Sequence, residues 1–68
     1  MKISARNLLR GKVVQITKGA TTAHVVLDIG GSAVTASITN AAVDDLVLEV
    51  GKQAYAVIKA SDVMVAVD

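Results

Sequence analysis

Ser4, Arg6 and Asn7 stand close together near the front of the chain, where a hydroxyl, a guanidinium and a carboxamide interrupt a largely aliphatic sequence. A guanidinium presents a fork of donors and no acceptor, a hydroxyl can turn its proton toward an anion, and free backbone N–H groups can join both. Residues of these types at this spacing suit the capture of an oxyanion. Alone, they read more simply as an exposed segment with a surface ion pair, so the chemistry depends on further donors reaching the same place.

Other chemistries find less support. His24 is the single histidine and there is no cysteine, which argues against a transition-metal centre. Asp44 and Asp45 are adjacent and point differently on a helix, so they do not form an acid/base pair. No nucleophile sits beside a base and no phosphate-cradling loop motif occurs, so neither an enzyme nor a bound organic cofactor is expected. Seven Lys or Arg against six Asp or Glu leave a net charge of +1, and Tyr55 is the only aromatic residue. An OB-type nucleic-acid binder needs a basic groove and stacking aromatics, so that alternative ranks low. Lys52 and Tyr55 read as surface or interface residues.

The elements available to position such donors are short strands. Gly11 to Lys18 is rich in β-branched residues and predicts a strand with Lys12, Val14, Ile16 and Lys18 on one side and Val13, Gln15 and Thr17 on the other. Gly19 and Ala20 break it. From Thr21 to Ile29 the alternation is clean, with Ala23, Val25 and Leu27 facing one way and Thr22, His24, Val26 and Asp28 the other. Gly30-Gly31 predicts a two-residue hairpin turn, and Ser32 to Thr39 the returning strand with Val34, Ala36 and Ile38 inward. Asn40 is expected to cap a short helix over Ala41 to Leu46, which Gly51 leaves behind. Lys52 to Lys59 predicts a fourth strand with Ala54, Ala56 and Ile58 on one face. After a joint at Ala60-Ser61, Asp62 to Val67 predicts a fifth. The expected fold class is all-β: one domain over residues 1–68, a small five-stranded Greek-key, OB-like barrel with one short helix between strands three and four. Periodicity alone also admits another small β-barrel or sandwich.

Several of these stretches carry a resemblance. Ser4-Ala5-Arg6-Asn7, Lys18-Gly19, Ala36-Ser37-Ile38-Thr39, Gly51 and Lys59-Ala60-Ser61 together resemble the molbindins, small molybdate- and tungstate-binding proteins built on the Mop domain. The resemblance implies an OB-like barrel assembled as a hexamer, a trimer of dimers, with molybdate or tungstate held at subunit interfaces. Carried over position by position, it implies an interface site drawing on Ser4, Arg6, Asn7, Thr39, Lys59, Ala60 and Ser61, divided between two chains. It also implies a second site near a threefold axis at Lys18, Gly19, Ala20 and Thr21. The plain readings of these positions are a solvated edge charge for Lys59, an outward strand face for Thr39, and an ordinary turn for Gly19.

Composition adds a reason to assemble. Hydrophobic residues make up 53% of a 68-residue chain that has no cysteine, proline or tryptophan. A domain this small buries only about 60% of its unfolded surface, so a homo-oligomer is expected. No run reaches the ~18 apolar residues of a membrane span, and no apolar signal segment follows Lys2, so a cytoplasmic place and no membrane partner are expected. The expected function is storage or buffering of a small inorganic oxyanion. A purely structural oligomer is the other alternative.

Overall fold

The computed structural model describes all 68 residues. Four antiparallel strands form one sheet: β1 (Asn7–Lys18), β2 (Thr22–Asp28), β3 (Ala33–Thr39) and β4 (Gln53–Ile58), in the order β3-β2-β1-β4. Three strands follow one another by hairpins and the fourth returns to lie beside the first, which is a Greek key. The crossing from β3 to β4 contains the helix α1 (Asn40–Asp45).

β1 serves both halves of the sheet. Its first half pairs with β4, from Asn7 opposite Ile58 to Lys12 opposite Gln53, and its second half pairs with β2, from Lys12 opposite Asp28 to Lys18 opposite Ala23. A bulge separates Val13, opposite Leu27, from Gln15, opposite Val26, and leaves Val14 as the extra residue. The strict alternation expected for this strand therefore fails: Val13 is fully buried and Ile16 packs on the same core, although they fall on opposite faces in an unbroken strand. β1 also begins at Asn7, earlier than Gly11, because Leu8, Leu9 and Arg10 have ladder partners on β4 that lie 45 or more residues away.

At the second hairpin the expected turn is present. Gly30 and Gly31 have φ of 90° and 100°, and the Ile29 N–H donates to the Ser32 carbonyl at 2.8 Å. Asp28 steadies the turn by accepting from the Gly31 N–H at 2.8 Å. The helix starts one residue earlier than expected. Thr39, not Asn40, is its N-cap, accepting from the Ala42 N–H at 3.0 Å, while Asn40 turns its amide to the Gly19 carbonyl. Beyond the helix, Val47 holds φ of 51°, which a β-branched residue rarely adopts. Lys52, exposed as expected, secures that turn by donating to the carbonyls of Leu46 and Val47 at 3.1 and 2.9 Å, so this surface lysine also closes the helix.

The core is small: Val13, Ala23, Val25, Leu27, Val43 and Ala56 are buried, with Leu9, Ile16, Ile29, Val34, Ile38, Leu48 and Ala54 packed around them. Inward residues of β2, β3 and β4 line one apolar cleft of about 770 Å3, which shows that the sheet curls on itself. The edges β3 and β4 are not hydrogen-bonded to each other, so the curl stays open.

The fifth strand is absent. A 3-10 turn over Ala60–Asp62 follows β4, and residues 63–68 run on without a ladder partner. Met64, Val65 and Val67 are 93%, 89% and 93% exposed. Valine-rich sequence favours a strand only where an edge is present to receive it, and within this chain the segment meets none.

Candidate oxyanion-binding sites

The antiparallel pairing of β1 with β4 gathers most of the first set of residues. Asn7 opens β1 opposite Ile58, the last residue of β4, and its Nδ2 donates to the Ile58 carbonyl at 3.2 Å. Ser4 and Arg6 lead into that point and Lys59, Ala60 and Ser61 lead away from it. Ser4, Arg6, Lys59, Ala60 and Ser61 are exposed, whereas Ala5, Asn7 and Ile58 are partly buried.

Arg6 and Lys59 have no carboxylate partner, since the one ion pair of the chain joins Lys18 to Asp44, and Asp62 leaves both cations unpaired. The hydroxyls of Ser4 and Ser61 make no hydrogen bond within the chain. The 3-10 turn uses the N–H groups of Asp62 and Val63, leaving those of Ala60 and Ser61 unused. This end of the ladder thus offers two cations, two hydroxyls and two amides, all as uncommitted donors.

Thr39 is placed elsewhere. It ends β3 opposite Thr22, alongside the far end of β1, and its hydroxyl oxygen is occupied as the helix cap. Its hydroxyl proton remains available to donate, but within one chain it belongs with the first hairpin turn, not with Arg6 and Lys59.

That hairpin turn is the second region. Gly19 closes it by donating to the Thr22 carbonyl at 2.7 Å, and Asn40 ties it to the helix through the carbonyls of Thr21 and Gly19 at 2.8 and 3.0 Å. A polar cavity of about 260 Å3 opens beside it, lined by Thr17, Lys18, Gly19, Thr22 and His24. Of the four residues expected here, Lys18 and Gly19 line this cavity and Ala20 and Thr21 do not. Thr17, Thr22 and His24, which the sequence did not single out for this region, line the cavity as well. The face shared by Thr22 and His24 is legible in the alternation of β2, but the pairing of Thr17 with His24 depends on the register beyond the bulge.

Residues 3–65 match the TOBE domain model. The chain belongs to the TOBE domain family. This TOBE domain is 59% identical over 69 residues, covering 100% of both chains, to a probable molybdenum-pterin-binding protein of Haemophilus influenzae. Its fold is similar to that of a molybdate-binding protein from Sporomusa ovata, with a TM-score of 0.93 and 41% identity over 97% of this chain and 98% of that one. It is also similar to ModG, described as a cytoplasmic molybdate-binding protein and solved with molybdate bound. There the TM-score is 0.90 and the identity 46%, over 94% of this chain and 46% of ModG. The resemblance to the molbindins and the all-β, OB-like class stand; the strand number is corrected from five to four.

Proposed function

We propose that this TOBE domain binds molybdate or tungstate where copies of the chain meet, and that it stores or buffers the ion in the cytoplasm without a catalytic step. The observation that carries the reading is the pair of unpartnered cations, Arg6 and Lys59, at one end of the β1–β4 ladder beside the free donors of Ser4, Ala60 and Ser61. Molybdate and tungstate are tetrahedral dianions with four acceptor oxygens and no proton at neutral pH, so they suit a pocket that supplies donors. Phosphate carries a proton near neutral pH and also wants an acceptor, and sulfate is smaller. Hydrogen bonds from charged donors are roughly twice as strong as neutral ones, which makes Arg6 and Lys59 the affinity terms. The names and titles of the relatives support molybdenum as the element involved.

In this reading a second copy supplies Thr39. The exposed apolar tail beyond Asp62 and the open cleft between β3 and β4 support such an assembly, because each offers what the other lacks: a valine-rich segment without an edge, and two edges without a neighbour. The assembly proposed is a hexamer of three dimers, in which the tail of one copy covers the cleft of another. The second oxyanion position is the cavity at the first hairpin turn.

Titration calorimetry tests the reading. Molybdate and tungstate are expected to give strong heats, sulfate and phosphate weak ones, and Arg6→Ala is expected to weaken the interface site about 10- to 100-fold. Equal, weak heats from all four ions would refute it.

A further inference from the structure

Lys18 is both a wall of the polar cavity at the first hairpin turn and one half of the chain's single ion pair. Its Nζ lies 2.7 Å from Asp44 Oδ1, so the ammonium that the cavity offers is already held by a carboxylate of α1. The other lining residues, Thr17, Gly19, Thr22 and His24, bring hydroxyl, backbone and imidazole groups without a second permanent cation. An anion entering this cavity meets a cation whose charge is compensated, in contrast to Arg6 and Lys59.

We propose that Asp44 is a built-in competitor for Lys18: an oxyanion occupies the cavity by displacing the Asp44 carboxylate, and Asp44 thereby sets how tightly the cavity binds. The proposal rests on the reading of this turn as an oxyanion position. The exchange is open to solvent, since the side chains of Lys18 and Asp44 are 46% and 67% exposed. Exposed pairs of this kind are worth about 1.5- to 5-fold in an equilibrium constant. A dianion attracts the ammonium about twice as strongly as the single charge of Asp44 at equal distance, so doubly charged ions win the exchange more readily than singly charged ones.

Displacement leaves the surroundings in place. Asn40 still holds the carbonyls of Gly19 and Thr21, Thr39 still caps α1, and Val43 still anchors the helix in the core. The rival role for Asp44, orienting Lys18 toward the ion, makes the opposite prediction: its removal would weaken binding.

His24 supplies the readout, because it is the only histidine of the chain and lines the same cavity. Its imidazole proton resonances are followed while molybdate is titrated, at fixed pH, into the wild-type protein and into Asp44→Asn, Asp44→Ser and Lys18→Met. The half-saturating molybdate concentration read at His24 is expected to fall about 1.5- to 5-fold in both Asp44 variants and the response to vanish in Lys18→Met. The calorimetric affinity of the interface site is expected to stay at its wild-type value in the Asp44 variants. A His24 response whose midpoint is unchanged or raised in both Asp44 variants overturns the competition while leaving the oxyanion position standing. A His24 resonance that molybdate does not move in any of the proteins overturns that position, and the competition with it.

Discussion

Removing residues 63–68 is the most direct test of how this chain completes itself. In an extended segment Val63, Val65 and Val67 share one face, and they are 49%, 89% and 93% exposed in the single chain. Fully burying a side chain of this size contributes about 1.5–3 kcal/mol. With Val63 already half covered, seating the tail in a neighbour's cleft is worth about 4–7 kcal/mol as an upper estimate. That corresponds to about a thousandfold to a hundred-thousandfold in the dissociation constant of each tail–cleft contact. Sedimentation velocity at micromolar subunit concentration is expected to show one hexameric species for the whole chain and slow, single-subunit material for the shortened one. Far-UV circular dichroism is expected to stay close to wild type, because the tail adds nothing to the six buried core residues. Calorimetry on the shortened chain is expected to show the interface site weakened, since Thr39 no longer arrives from a neighbour. A shortened chain that sediments at hexamer mass would refute the tail-in-cleft assembly.

Two further perturbations probe the scaffold that holds the donors. In Gly11→Ala the new Cβ would lie 2.5 Å from the Asp28 carbonyl oxygen and 2.9 Å from Ile29 Cγ2, where strands cross beside the bulge. Backbone must shift to admit it, so urea unfolding is expected to show a loss of about 1–3 kcal/mol with an unchanged m-value. Lys52→Met keeps the apolar stem but removes both hydrogen bonds to the end of α1, next to the unfavourable φ of Val47. A loss of about 1 kcal/mol is expected, read as a thermal midpoint lowered by about 4–8 °C.

The sequence carried its local information well and its long-range information poorly. The alternation of Ala23, Val25 and Leu27, and of Val34, Ala36 and Ile38, was legible because each strand has one face on the core and one in solvent. The turn at Gly30-Gly31 was legible because few residues other than glycine tolerate its backbone. The bulge at Val14 was not, since it answers to the register of β2 and leaves no residue type of its own. Thr39 and Asn40 are both good caps, and the choice between them follows from Asn40 being recruited to the Gly19–Thr21 turn. The valines of the tail have strand propensity in full, but propensity supplies no partner. For the candidate site, residue types were informative and positions less so. The motifs at Ser4 to Asn7 and Lys59 to Ser61 meet at a ladder end, while Thr39 falls beside the other cluster, and the role of Asp44 depends on a pairing 26 residues distant in sequence.

β1 is a single strand that reaches from the first donor cluster to the second, from Asn7 to Lys18. It therefore acts as a ruler with a phase mark: its length separates the two clusters, and the single surplus residue at the bulge decides which face each half turns to the core. An insertion or deletion of one residue anywhere in β1 changes both spacing and phase, so drift in length is penalised at the donor clusters and in the core together. The loop at Gly30-Gly31 carries no such constraint, with open space around both glycines and neither cluster adjacent. Length variation among descendants of this chain belongs there, which makes the hairpin tip the place to graft a fluorophore or an affinity tag without disturbing the spacing of the proposed anion positions.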